Sequence, residues 1–228
     1  MKDNKIIIAL DNDNIDNILA LVKKLKKDAF AFKIGYEFFF NFGLKGYKKI
    51  QNEKVKIFLD LKLHDIPNTV ERGINAISKL SPYFTTIHIS GGDAMLKASC
   101  KTKKNVKILG VSVLTSLNSI QTKKYFFNRN IDEIIKNFAK YALANKLDGI
   151  VCSPHEIKKI KKITKNKLLI VTPGIRPQNY QVKKDDQKRT MTPEEAIEAG
   201  ANYLVIGRPI TQSSNPLKTL KLINASLI

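Results

Sequence analysis

The chain has 228 residues, 43% of them hydrophobic, and its 40 Lys and Arg residues against 20 Asp and Glu residues give a formal net charge of +20. This composition excludes a disordered chain and predicts a globular protein with one large core, and α/β barrels commonly reach this length as a single domain, here residues 1–228. The two cysteines are too few for a disulfide framework and lie in no metal-ligand spacing, so they favour a reducing, cytoplasmic location.

The first apolar run, residues 6–10, is followed at once by two aspartates and two asparagines. It is too short for a signal peptide or a membrane span, so no membrane association is expected. The positive charge would attract phosphate groups, whether on a nucleic acid or on a small substrate. Because the lysines are spread over many helix-like and loop segments and no nucleic-acid-binding motif occurs, a solvated surface is the favoured interpretation.

Apolar runs alternate with segments of helical periodicity along the whole chain. The predicted strands cover residues 6–10, 29–32, 55–59, 84–89, 106–114, 149–152, 168–171 and 202–206. Eight strands alternating with eight helical segments predict a closed (β/α)8 TIM barrel, with a doubly wound open sheet as the alternative. The connection at residues 117–130 is long enough to carry a lid, and Thr192 with Glu195 predicts a capping box.

Polar side chains follow most of these predicted strands. In a TIM barrel the active site lies at the C-terminal ends of the strands, and the loops after strands seven and eight commonly form a phosphate site. Those two loops contain Arg176, Gln187, Gly207 and Arg208, which predicts a phosphate ester as substrate. The strand ends together carry Asp11, Lys33, Asp60, Lys62, His88, Thr115 and Arg208.

The segment at residues 60–69 carries two carboxylates and a lysine directly after an apolar run. Asp60 and Lys62 share one face of an extended strand, and with Lys33 and Asp65 they are predicted to form an alternating set of charges that keep one another ionised. The simpler interpretation is an Asp60–Lys62 ion pair, with Asp65 as the N-cap of a helix that begins near Pro67.

Three carboxylates in this set, Asp11, Asp60 and Asp65, would suit Mg²⁺ by ligand type. The interleaved ammonium groups of Lys33 and Lys62 would repel a cation, so no metal is predicted. No Walker loop or dinucleotide fingerprint occurs, so no nucleotide cofactor is predicted either.

Five segments closely resemble those of the orotidine 5'-phosphate decarboxylases, namely residues 9–11, 32–35, 60–69, 172–177 and 205–211. The resemblance extends over nearly the whole chain, and the motif at residues 60–69 is highly specific. It implies conversion of orotidine 5'-phosphate to UMP and CO2, the last step of de novo pyrimidine synthesis, without a metal or organic cofactor. It also implies a homodimer with its active sites at the interface.

The resemblance further implies a role for individual residues. Lys62 would protonate C6 of the pyrimidine as CO2 leaves, Asp60 would lie beside the substrate carboxylate, and Lys33 would complete the charge network. Asp65, the fourth member of that network, and Thr69 would reach into the partner's site. The other implied substrate contacts are Asp11 and Lys33 to the ribose, Thr115 to the pyrimidine edge, Gln187, Gly207 and Arg208 to the phosphate, Arg176 in a closing loop, and Ile66 and Pro173.

Two alternatives stay open, one from the same barrel superfamily and one from another class of protein. A related metal-dependent sugar-phosphate decarboxylase or aldolase of the same barrel superfamily has a similar Asp-x-Lys-x-x-Asp pattern, but a metal-binding acid where Lys33 stands. A basic RNA-binding protein would account for the net charge and predicts an affinity for polyanions that falls steeply with salt.

Overall fold

The computed structural model describes residues 4–178 and 189–227. Eight parallel strands close into a barrel in chain order, from β1 next to β2 around to β8 next to β1. The predicted (β/α)8 barrel is therefore confirmed, and the alternative of a doubly wound open sheet is excluded. The strands are β1 (Ile6–Ala9), β2 (Ala31–Ile34), β3 (Ile57–Leu63), β4 (Phe84–His88), β5 (Lys107–Val111), β6 (Gly149–Val151), β7 (Leu169–Thr172) and β8 (Tyr203–Ile206).

Helices follow the strands and surround the barrel. They are α1 (Ile15–Leu25), α2 (Tyr36–Gln51), α3 (Pro67–Leu80), α4 (Gly92–Lys101), α5 (Ser119–Tyr125), α6 (Ile131–Ala144), α7 (Ile157–Thr164), α8 (Pro193–Ala199), α9 (Arg208–Thr211) and α10 (Pro216–Ser226). Helix α2 is kinked at Gly43, whose φ of 54° lies in the left-handed region that glycine tolerates. In the described part of the chain, no helix has the length and apolar character that a membrane span needs.

The alternation of side chains along each strand divides the core into two layers. In β1, Ile7 and Ala9 belong to the cluster inside the barrel, while Ile6 and Ile8 pack outward with helix residues such as Ile18. The barrel interior is completed by Ala31, Phe58, Phe84, Leu109, Val171 and Val205. Because the strands are parallel, the inward-facing positions that follow this apolar plug all open at the same C-terminal mouth.

Strand β3 is longer than its apolar run predicts. It continues past Leu59 to Leu63, and its register with β4 is irregular between those two residues. Lys62, within this extension, has a φ of 45°. The extension carries Asp60 and Lys62 into the mouth of the barrel instead of leaving them in a loop.

The start of α3 corrects one sequence interpretation. Pro67 occupies the first turn as predicted, but the N-cap residue is Ile66 and no side chain caps the helix. Asp65 instead accepts a hydrogen bond from the Ile66 backbone N–H at 2.6 Å. Asp65 is therefore not the N-cap, because it lies one residue before the N-cap position, which Ile66 occupies.

The structure also describes two other segments for which the sequence makes a prediction. The long connection at residues 117–130 contains α5, which begins with a capping box between Asn118 and Gln121, and its role as a lid stays a prediction. The capping box of Thr192 with Glu195 is confirmed at the start of α8.

The N-terminus of α1 provides a test of how local sequence stabilises the barrel. The Asn14 side chain accepts hydrogen bonds from the backbone N–H groups of Asp16 and Asn17 at 3.0 and 3.1 Å. Asn14→Ala is expected to lower the free energy of unfolding by about 1 kcal/mol, measured by urea titration, because it removes this cap. Asn14→Asp keeps the acceptor and serves as the matched control; an equal loss in both variants would contradict the capping explanation.

Candidate active site

A line of four alternating charges crosses the C-terminal mouth of the barrel. The Lys33 Nζ lies 3.7 Å from Oδ1 of Asp11 and 3.7 Å from Oδ2 of Asp60. The Lys62 Nζ lies 2.8 Å from the same Oδ2 of Asp60. Two ammonium groups therefore share one carboxylate oxygen, as the charge pattern of the sequence predicts for these three residues.

Strand parity places these side chains together. Lys33 is the register partner of Ala9 on β1 and of Phe58 on β3, both of which face the barrel interior. Asp11 and Asp60 each follow one of those interior residues by two positions, so both carboxylates project into the same space. The site is thus a direct consequence of which face of each strand carries the polar residue.

Asp60 is the most buried member of the line, with only 7% of its surface exposed. Burial alone would raise the pKa of its carboxyl group, but the charges of Lys33 and Lys62, together with hydrogen bonds from Lys62 and Thr86, hold the pKa below its ordinary value of 3.8. Asp60 is therefore ionised at neutral pH.

A cavity of about 700 Å³ extends from this line across the mouth of the barrel. Its far wall is apolar and includes Val111, Val113 and Val151 from the ends of β5 and β6. A charged side facing an apolar side suits a ligand with one polar and one flat, weakly polar region. Of the residues predicted from sequence, the cavity is lined by Asp11, Lys33, Asp60, Lys62, Thr115, Pro173, Arg176, Gly207 and Arg208.

The remaining predicted residues lie elsewhere. Asp65 and Thr69 line a second hollow of about 480 Å³, and Lys62 lines both spaces. Ile66 is 66% exposed, and Gln187 lies outside the described residues. Of the four-member charge set predicted from sequence, Lys33, Asp60 and Lys62 line the cavity, where Asp11 joins them. Asp65 lines only the second hollow.

The second hollow also contains the two histidines of this region. His64 and His88 lie with their ring centroids 5.2 Å apart. Burial, assisted by the neighbouring charges of His64 and Lys62, lowers the pKa of His88. His88 is therefore neutral at physiological pH, and it adds no further positive charge beside Lys62.

Thr86 is a site residue that the sequence analysis missed. Its hydroxyl donates to Oδ1 of Asp60 at 2.8 Å and accepts from the backbone N–H of Lys62 at 2.9 Å. The available signal was its parity, because Thr86 lies between Phe84 and His88 on the face of β4 that enters the barrel. Its hydroxyl therefore follows the buried Phe84 on the inward face of β4.

The sequence analysis also missed the contact between Arg189 and Glu156, which lies beside the loop after β7. The base of this loop is joined by hydrogen bonds from Met191 to Gly174 at 3.2 Å and from Arg176 to Met191 at 3.0 Å. Arg189 donates to the buried carboxylate of Glu156 and to the carbonyl oxygen of Leu114 at 3.1 Å. No local pattern distinguishes Arg189 from the lysines around it, so this long-range contact was not predictable from sequence.

The donor groups that the structure describes in this region do not form a metal site. Within residues 4–178 and 189–227, no group of three or more His, Cys, Asp or Glu side chains is arranged to hold a metal ion. The carboxylate closest to such a role, Asp60, already has an ammonium group on each side.

The closed parallel barrel and the lysine–aspartate line at its C-terminal mouth define a TIM-barrel protein with an enzyme-like site. A family model described as "Orotidine 5'-phosphate decarboxylase / HUMPS family" matches residues 4–223. The chain belongs to this family, which confirms the resemblance seen in its motifs.

Individual relatives agree with the family assignment. The chain is 42% identical to the orotidine 5'-phosphate decarboxylase of Wigglesworthia glossinidia brevipalpis, over 100% of this chain and 99% of the relative. It is also 42% identical to that of Wolbachia pipientis subsp. Culex pipiens, over 98% and 99% of the two chains. The crystal structure of orotidine 5'-phosphate decarboxylase from Lactobacillus acidophilus superposes with a TM-score of 0.84 at 36% identity, covering 98% of this chain and 99% of that one.

The charge line makes a prediction about the titration of Asp60. Because its pKa is lowered in the folded state, ionised Asp60 contributes stability above the ordinary value of 3.8, and this contribution is lost as the pH falls through the lowered value. Lys62→Met removes the nearest cation and is expected to raise the pKa of Asp60, measured by carboxyl-carbon NMR. Lys97→Met, on the exposed surface of α4, is the control and should leave the titration unchanged; an unchanged titration in Lys62→Met would contradict the proposed coupling.

Proposed function

We propose that this protein decarboxylates orotidine 5'-phosphate to UMP and CO2, the last step of de novo pyrimidine synthesis. The observation that carries the proposal is the Lys33–Asp60–Lys62 arrangement, in which two ammonium groups are fixed against one buried carboxylate at the barrel mouth. The family assignment and the names of the relatives support the choice of substrate. The whole chain is proposed to act as one catalytic barrel in the cytoplasm.

In the proposed reaction the C6–carboxylate bond breaks and its electron pair remains on C6. The Lys62 ammonium stabilises this developing carbanion and then transfers one proton to C6, giving UMP. Lys62 regains a proton from solvent after CO2 has left. Because Lys62 is already charged and held by Asp60, little reorganisation is needed at the moment of bond cleavage, which is the condition for strong electrostatic stabilisation of a transition state.

The rest of the cavity is proposed to hold the substrate in place. Asp11 and Lys33 bind the ribose hydroxyls, and Thr115 contacts the pyrimidine edge beside the apolar wall. The phosphate is bound after β7 and β8, where Arg176, Gly207 and Arg208 line the cavity, together with Gln187. Binding energy from this remote phosphate helps to position C6 against Lys62.

The mechanism as proposed uses only side chains and needs neither a metal nor an organic cofactor. The positions of Lys33 and Lys62 support this, since each places a positive charge beside the carboxylate that a metal ion would require. Turnover that is lost on treatment with a chelator and restored by a divalent metal would favour the metal-dependent sugar-phosphate enzymes instead.

The functional test follows orotidine 5'-phosphate by ultraviolet absorbance. The wild-type chain is expected to convert it to UMP, with or without chelator. Lys62→Ala is expected to lower kcat by on the order of 10⁴-fold or more, because it removes both the proton donor and the charge that stabilises the carbanion. Its affinity for UMP, measured by calorimetry, should change by less than about threefold.

The control for this test is Lys97→Ala, which removes an equal charge from the outer surface. It is expected to retain wild-type turnover. Absence of any absorbance change with the wild-type chain at micromolar concentration would overturn the proposed activity. Binding of polyuridylate that falls steeply with salt, in a chain that has no turnover, would favour the RNA-binding alternative.

We further propose that the protein is a homodimer in which Asp65 and Thr69 complete the partner's site. Both residues line the hollow on the outer side of Lys62, which leaves Lys62 accessible from two directions. Tyr36 lines the same hollow, and helix α2 exposes the stacked rings of Tyr36 and Phe40, an apolar surface suited to burial against another copy.

Subunit mixing tests this shared site. Lys62→Ala and Asp65→Ala are each expected to be inactive as pure dimers. After unfolding and refolding together in equal amounts, half of the dimers are mixed and each has one intact site, so about a quarter of wild-type activity should return. Recovery near zero would show that Lys62 and Asp65 act within the same chain or that no such dimer forms.

A further inference from the structure

We propose that Tyr36 and Thr86 are positioning residues that hold the Leu61–Lys62 peptide group from its two ends and thereby fix the Lys62 ammonium group against Asp60. This inference deepens the proposed decarboxylase function and rests on it for the meaning of Lys62.

The contacts involve the two polar atoms of one peptide group. The Tyr36 hydroxyl, at the first residue of α2, donates to the carbonyl oxygen of Leu61 at 3.1 Å. The backbone N–H of Lys62 donates to the Thr86 hydroxyl on β4 at 2.9 Å. In a regular sheet, backbone groups of the neighbouring strands would bond to this carbonyl oxygen and this N–H. Here the side chains of Tyr36 and Thr86 do so instead.

These contacts are needed because the peptide lies where the sheet is irregular. On the β4 side, register partners are present for Leu59 and Leu63 but not for the three residues between them. Lys62 has a φ of 45°, in the left-handed region that a residue with a side chain rarely adopts. Such a conformation persists only when its surroundings determine it, and the two side-chain hydrogen bonds supply that determination.

Thr86 connects the backbone of Lys62 to its own ammonium group. The Thr86 hydroxyl that accepts from the Lys62 N–H donates in turn to Oδ1 of Asp60 at 2.8 Å. Oδ2 of Asp60 then accepts from the Lys62 Nζ at 2.8 Å. These three hydrogen bonds begin and end at Lys62. A shift of the Leu61–Lys62 peptide group would therefore also displace the Lys62 ammonium group.

Tyr36 supports the same residue from a second side. The Lys62 Nζ lies 5.6 Å from the centroid of the Tyr36 ring, within the range of a cation–π contact. Phe40, one turn later on α2, stacks on Tyr36 with centroids 5.9 Å apart. The hydroxyl can be removed while the ring remains, so the hydrogen bond to Leu61 can be tested separately from packing.

The principal test is Thr86→Val, which replaces the hydroxyl by a methyl group of similar size. It is expected to lower kcat by about 100-fold, the scale of a small misplacement of a catalytic group, while the affinity for UMP changes by less than about threefold. Thr86→Ser keeps the hydroxyl, so its kcat should be within about fivefold of wild type.

Thr85 offers a matched control on the same strand. Its hydroxyl is fully buried and donates to the carbonyl oxygen of Leu59 on β3 at 3.0 Å, but its parity directs it away from Lys62. Thr85→Val is expected to lower stability without lowering kcat. Equal losses of kcat in the Thr85 and Thr86 variants would show a general weakening of the sheet and would overturn the proposal.

Tyr36→Phe tests the other end of the peptide. It is expected to lower kcat by about fivefold, the loss of one neutral hydrogen bond. Tyr47, on the same helix as Tyr36, donates its hydroxyl to the carbonyl oxygen of Leu80 on α3. Tyr47→Phe is therefore the control and should keep the wild-type kcat. In the double variant Tyr36→Phe/Thr86→Val, kcat should fall less than about twofold below Thr86→Val alone, because both residues hold one peptide.

A readout without turnover separates this inference from the proposed function. Tyr36→Phe removes no hydrogen bond of Asp60, so a rise in the pKa of Asp60, measured by carboxyl-carbon NMR, would report a displaced Lys62 ammonium group. An unchanged pKa of Asp60 in Tyr36→Phe would overturn the proposal even if the wild-type chain is an active decarboxylase. A raised pKa in a chain without decarboxylase activity would retain the positioning role and reject only the reaction.

Discussion

The carboxylate of Asp60 is the group on which the site depends. A buried charge costs several kcal/mol unless hydrogen bonds and opposite charges replace the water it loses. Asp60 receives these from three successive strands, namely Lys33 of β2, Lys62 of its own strand β3, and Thr86 of β4. Removing any one partner therefore disturbs the other two, because they meet on the same two oxygens.

The barrel separates this polar centre from the part of the core that stabilises the fold. At the opposite, N-terminal end, the rings of Phe30, Tyr83 and Tyr203 pack together, with Phe30 and Tyr203 stacked 4.1 Å apart. The Lys56 ammonium group lies 4.2 Å from the Phe30 ring centroid. A lysine at this end is held by aromatic faces, whereas Lys33 and Lys62 at the other end are held by carboxylates. The two ends thus use the same residue type for different purposes.

The sequence predicts the barrel well because each strand is a short apolar run and each helix has one apolar face. It also predicts the line from Asp11 to Lys62, since parity and the position after an apolar run are local properties. It does not predict that β3 continues to Leu63, because the apolar run that marks the strand ends at Leu59. The Arg189–Glu156 pair depends on a contact between distant segments, which periodicity does not encode. Parity indicates that Thr86 faces inward, but it does not indicate which groups of β3 its hydroxyl contacts. Asp65 faces the second hollow instead of the main cavity, and its position after the end of β3 gives no parity signal for that.

The left-handed conformation of Lys62 connects these observations. A residue with a side chain in this region costs on the order of 1–3 kcal/mol, and the cost is tolerated where neighbouring groups leave no alternative. Here the irregular register of β3 with β4 creates the conformation, and contacts from Tyr36, Thr86 and Asp60 maintain it. In a regular strand, Lys62 would gain backbone pairing but would lose the hydroxyl that links its N–H to Asp60. The irregularity of β3 is therefore the feature that lets one short strand segment supply both the buried carboxylate and the ammonium group fixed against it.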